Sequence, residues 1–193
     1  MNPATLVTAL RIALSPLFFI LFTTTVRNGV ASAPAVITLW LLFAVIEATD
    51  FIDGHVARKT GSVTELGKVF DPFADSFARL SYFLTYVVAG LMPGWVFLLV
   101  MYRDLGVSFV RLLAMREGIA MSAQLSGKIK AWIYAVAGGA GLLLVSVRSL
   151  ALVEWETAAE IVASVSFWAC AATAVWTMID YAGAYRRIVA KKK

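Results

Sequence analysis

The chain has 193 residues, 61% of them hydrophobic and only 15% charged, with a net charge of +5. Soluble domains carry about 25% charge and roughly 45–50% apolar residues, so a water-soluble globule is excluded. A membrane span needs about 20 apolar residues, and the length leaves room for several.

The positive charge is not arranged as a continuous stripe on a soluble face, so no nucleic-acid partner is expected. No secretory leader is read at the start, where the first apolar run opens almost at Met1 without a small-residue cleavage site. The single cysteine, Cys170, excludes an internal disulfide and reads as a small core residue.

In chain order, six apolar segments are predicted as helices: residues 6–26, 35–49, 72–91, 95–114, 131–147 and 159–179. The first contains Arg11, which is expected to snorkel toward the headgroups. The run Met92-Pro93-Gly94 breaks the third segment from the fourth. Six spans put both termini on one side. That side collects Arg58, Lys59 and Lys68, then Arg116, Lys128 and Lys130, then the basic tail 186–193. The opposite loops hold only Arg27 and Arg148, with Glu154, Glu156 and Glu160 beside the latter. Short cytoplasmic loops are enriched in Lys and Arg, so both ends are placed in the cytoplasm, with Lys191, Lys192 and Lys193 touching anionic headgroups. No internal repeat or soluble unit interrupts the pattern, and residues 1–193 read as one membrane domain.

Between the second and third segments lie Asp50, Asp53, Asp71 and Asp75. A carboxylate at mid-bilayer costs roughly 2.5–3.5 kcal/mol on insertion scales, so such residues need a reason. Spacings of three and four put each pair on one face of a helix, and two helices meeting at the membrane boundary can converge all four. Close carboxylates repel unless a cation neutralises them. Hard oxygen ligands suit Mg²⁺, Mn²⁺ or Ca²⁺, and two such ions are a recurrent clamp on a phosphoryl group. Gly54 and Gly67 let a diphosphate approach the backbone, Ala57 is small, and Arg58 offers a bidentate fork. A purely structural alternative makes Asp71 a helix N-cap ahead of Pro72, with Asp50 and Asp53 capping a span or pairing with Arg58 and Lys59. His55, the only histidine, falls between motif positions and reads as a spectator.

The pattern Asp50-x2-Asp53-Gly54-x2-Ala57-Arg58-x8-Gly67-x3-Asp71-x3-Asp75 resembles the complete signature of the CDP-alcohol phosphotransferases. That resemblance implies an all-α polytopic membrane protein of six transmembrane helices, a homodimer and a polar cavity at the cytoplasmic side of the inner membrane. It implies that Asp50, Asp53, Asp71 and Asp75 hold two Mg²⁺ or Mn²⁺ ions and that Asp75 is the base. Gly54, Ala57, Arg58 and Gly67 would lie against the CDP moiety. Weaker similarity to the bacterial phosphatidylglycerophosphate synthase branch lies in Asn2-Pro3 through Thr8 and Arg11, in Arg103-Asp104 with Arg111, and in Gly127-Lys128-Ile129-Lys130. It implies CDP-diacylglycerol as donor, glycerol 3-phosphate as acceptor and CMP as product. Arg103, Arg111, Lys128 and Lys130 are the candidate cations for a phosphorylated acceptor. Ser76, Ala131 and Tyr134 depart from that branch, which usually has Lys, Thr and Gln there, so inositol phosphate or another alcohol stays open as acceptor. A transporter using the acids for cations is the rival of another class. It would place them at mid-span in repeated halves, whereas these gather at one boundary.

Overall fold

In hydrocarbon a chain must satisfy its own peptide groups, which leaves the helix as the solution for apolar runs of this kind. The computed structural model describes the backbone of residues 3–60, 65–116 and 125–190, and the side chains of 6–49, 72–114 and 125–186. The helices are α1 (Pro3–Thr25), α2 (Ala33–Thr60), α3 (Glu65–Val88), α4 (Gly94–Arg116), α5 (Leu125–Ser149) and α6 (Val153–Ala190). Each of the six predicted apolar segments falls within one of them, apart from a few residues at its ends. Among the described residues no strand appears beyond an isolated bridge between Arg27 and Val30. The protein is all-α. Among the described residues, three stretches are long and apolar enough to cross a membrane, namely Leu6–Thr25, Leu125–Ser149 and Val153–Arg186. Large apolar side chains such as Leu41, Trp132, Val153 and Trp155 stay exposed on the outer surface, an arrangement that lipid tolerates and water does not.

Two boundaries differ from the sequence expectation. Helix α2 continues beyond residue 49 to Thr60, and α3 starts at Glu65 instead of near Pro72. Hydropathy falls where the acids begin, but the helical backbone runs on. Asp71 therefore lies inside α3 and is not its N-cap, and Pro72 is an internal helix residue.

The described connections between helices, such as residues 89–93 and 150–152, are short. At the end of α3, Gly90 takes a left-handed conformation (φ 71°) while Leu91 N donates to Tyr86 O and Gly90 N to Val87 O. This is the glycine-capped helix end in which the last carbonyls are satisfied by a reversal of the chain. Helix α1 packs on both α2 and α3, and α6 packs on α4 and α5.

Aromatic side chains fill the middle of the bundle. Phe22 meets Tyr86 edge-on at 5.7 Å, Phe43 meets Tyr82 at 5.5 Å, and Phe83 meets Tyr134 at 5.7 Å. Glycines on α5 make the room. A Cβ on Gly138 would stand 2.7 Å from the Phe43 ring, and one on Gly141 would stand 2.6 Å from Tyr86. The approach also lets the Tyr86 hydroxyl donate to the Gly138 carbonyl at 2.6 Å. Small residues at helix interfaces are the usual device where lipid removes the hydrophobic drive for helix association. Cys170 is buried in this core, as expected.

Candidate active site

The polar side chains collect where α1, α3 and α5 begin and α2, α4 and α6 end. Arg11, one turn before Ser15 on α1, is 1% exposed. The expected snorkelling does not occur, because Arg11 has partners inside the bundle. Its Nε donates to Thr49 Oγ1 at 3.3 Å, and its Nη1 pairs with Asp75 Oδ1. Thr49 in turn donates to the Ile46 carbonyl at 2.7 Å. Thr49 directly precedes Asp50 in α2. One guanidinium of α1 thus joins the position beside the first acidic pair to the last acid of the second pair.

Asp75 is the motif carboxylate with a described side chain, and it keeps 24% exposure. The side chains of Asp50, Asp53, Gly54, Ala57, Arg58, Gly67 and Asp71 lie outside the described residues, as does that of His55. Their backbone is helical, with residues 50–58 in α2 and 67–75 in α3. The spacings of three and four therefore act on continuous helix, where they place each acidic pair on one face. Among the described residues no group of three potential metal ligands occurs. The donor set is nevertheless of the hard, carboxylate type that suits a divalent ion, and a cationic group already lies against Asp75.

A second polar cluster joins α4, α5 and α6. Arg103 Nη1 and Lys130 Nζ both donate to Asp104 Oδ1, at 2.9 and 2.6 Å. Arg103 Nε donates to Thr177 Oγ1 at 2.8 Å. Arg111 donates to the Tyr181 hydroxyl at 2.6 Å and its guanidinium lies 5.2 Å from the centre of that ring. Its Nε is buried and makes no hydrogen bond within the described residues. Lys128 is exposed. Of the four cations nominated from sequence, Arg103 and Lys130 are therefore joined through Asp104, Arg111 is held by Tyr181, and Lys128 is exposed. Sequence reasoning overlooked the role of Asp104 itself. An acid next to an arginine inside an apolar segment was the available signal.

A profile of the CDP-alcohol phosphatidyltransferases matches residues 1–180. The chain belongs to that family. It is accordingly a transferase of phospholipid biosynthesis and an integral membrane protein, and its family acts on CDP-alcohol donors and alcohol acceptors, generally with a divalent metal. A Treponema pallidum protein named CDP-diacylglycerol–glycerol-3-phosphate 3-phosphatidyltransferase is 41% identical over 158 residues, covering 78% of this chain and 70% of its own. A Bacillus subtilis protein of the same name is 34% identical over 143 residues, covering 71% and 74%. One from Shigella flexneri, also so named, is 28% identical over 190 residues, covering 96% and 95%.

Proposed function

We propose that this transferase moves the phosphatidyl group of CDP-diacylglycerol to glycerol 3-phosphate and releases CMP. The observation that carries this reading is the junction built by Arg11. It ties Asp75 to the α2 position next to Asp50, in a chain that aligns over most of its length with relatives named for that reaction. Arg111 Nε, buried and without a hydrogen-bond partner among the described residues, supports an anionic acceptor nearby, since a buried donor without an acceptor is costly.

In this reading the domain spans residues 1–193, the six helices all cross the inner membrane, two copies form a dimer, and the acidic end faces the cytoplasm. Asp50, Asp53, Asp71 and Asp75 would hold Mg²⁺ or Mn²⁺, two ions in all. Bound there, divalent ions neutralise the diphosphate and stabilise the departing CMP. Gly54, Ala57, Arg58 and Gly67 receive the CDP headgroup, while the acyl chains stay in the bilayer. The Asp75 carboxylate takes the proton of the acceptor hydroxyl. The acceptor oxygen forms a bond to the phosphorus that carries the diacylglycerol. The bond from that phosphorus to the bridging oxygen of the diphosphate breaks, and CMP leaves with the electron pair. Arg11 orients Asp75 for this task through a charge-assisted hydrogen bond. Arg103, Arg111, Lys128 and Lys130 make the acceptor end of the site electropositive.

The test is CMP release by purified protein given CDP-diacylglycerol, Mg²⁺ or Mn²⁺ and a panel of acceptors. Release with glycerol 3-phosphate, and formation of the matching lipid phosphate, supports the assignment. Release only with inositol 1-phosphate or a neutral alcohol moves the acceptor, and no release with any acceptor removes the reaction.

A further inference from the structure

Asp104 has no role in the transfer described above, yet it is the most deeply enclosed acid among the described residues, with a side chain 0% exposed. A buried carboxylate is retained only if its partners compensate for lost hydration. Here both partners are cations and both use the same oxygen, Oδ1, while Oδ2 has no hydrogen bond within the described residues. Lys130 reaches Asp104 from α5 and also lies 4.6 Å from the centre of the Tyr134 ring. Helix α4 packs mainly on α6 and α3, and α5 mainly on α6, so the Lys130–Asp104 bond supplies a direct polar link between α4 and α5.

The start of α5 is held from the other side as well. Ser126 Oγ donates to Asp180 Oδ2 of α6 at 2.5 Å. Gly127 lies so close to α6 that a Cβ there would stand 3.2 Å from the Tyr181 hydroxyl, the same hydroxyl that accepts from Arg111. Residues 126, 127 and 130 are thus anchored, while Lys128 between them is exposed.

We propose that Asp104 is a positioning residue for the transfer reaction: it neutralises Arg103, fixes Lys130, and so holds the first turn of α5 with Lys128 beside Arg111, where the pair meets the anionic group of the acceptor. This rests on the reading that the acceptor is phosphorylated. Arg103 and Lys130 act as struts, and Arg111 and Lys128 are the contacting cations.

The parent protein's acceptor is fixed first with the panel described above, and KM comparisons then use whichever acceptor it takes. An error in the acceptor assignment therefore shows in the parent, and an error about Asp104 shows only in the variants. Asp104→Asn is expected to raise the acceptor KM about tenfold or more, as loss of an organised charge array does, with the CDP-diacylglycerol KM within about twofold. Asp104→Glu is expected to recover part of the loss. Asp104→Asn combined with Lys130→Met is expected to be no worse than Asp104→Asn alone, because in this reading Lys130 acts only through the charge of Asp104. If Asp104→Asn does not fold, Lys130→Met alone is expected to give the same selective rise. An unchanged acceptor KM in the folded variants overturns the inference, and so does an equal rise for donor and acceptor, which would mark a general structural role.

Discussion

The two ends of the bundle use the same chemistry under opposite conditions. At the α5–α6 turn, Arg148 pairs with Glu156 at 3.0 Å and Glu160 at 2.5 Å, with the glutamates 40% and 47% exposed. At the other end, Arg11, Arg103, Asp104 and Lys130 are buried, and Asp75, the partner of Arg11, keeps 24% exposure. Exposed ion pairs contribute roughly 0–1 kcal/mol, because solvent and salt screen them. Buried ones carry a desolvation penalty that only close, multiple partners offset. A rim of exposed pairs costs a membrane protein little. A buried set of opposite charges is expensive to keep, and its presence at the end where α2 and α3 carry the acidic motif supports the proposal that this end is the working one.

Substitutions at the two ends are expected to differ widely in effect. Asp75→Asn at the buried end is expected to reduce turnover by about 10³-fold or more, in line with removal of a general base. CMP release measured beside donor binding checks it: binding lost as fully as in Asp53→Asn would mean that Asp75 serves only to hold the donor. Arg11→Met is expected to lower stability by about 1.5–3 kcal/mol, since it removes the charge-assisted bonds that a buried guanidinium makes to Asp75 and Thr49. Thermal unfolding in detergent reads this, and a midpoint equal to the parent's would show that the Arg11 junction carries no energy.

Between the two ends, Gly141→Ala places a methyl group against the Tyr86 ring and is expected to cost about 1–3 kcal/mol by overpacking. The same unfolding assay applies, and a stabilised variant would contradict the packing described. The smallest effect is expected at the exposed end. Arg148→Ala should cost under about 1 kcal/mol, with a difference that fades as salt rises. A loss as large as that of Arg11→Met would erase the distinction between the ends.

Much of the fold was legible because hydropathy reports burial in lipid: each apolar run became one helix. The helical extensions through Asp53 and Asp71 were harder to place by the same signal, since hydropathy falls there while the backbone hydrogen bonds continue. The acidic motif stood out by its spacing and its family resemblance, because helical periodicity turns spacing into shared faces, and of its carboxylates only Asp75 has a described side chain. The position of Arg11 was not. Its partners Thr49 and Asp75 lie 38 and 64 residues away, and an arginine on an apolar helix reads as a snorkelling residue until those partners are known. Counting cations in α4 and α5 likewise gave no sign of the pairing role of Asp104, because a list of positive charges omits the acid that joins two of them.

In the proposed reaction, carboxylates at the α2–α3 end serve phosphatidyl transfer by holding divalent ions at the CDP headgroup. Its most direct test follows CMP release from CDP-diacylglycerol and glycerol 3-phosphate while divalent ions are removed by a chelator and then restored. Release should stop on removal and return with Mg²⁺ or Mn²⁺. Undiminished release in excess chelator would contradict the account.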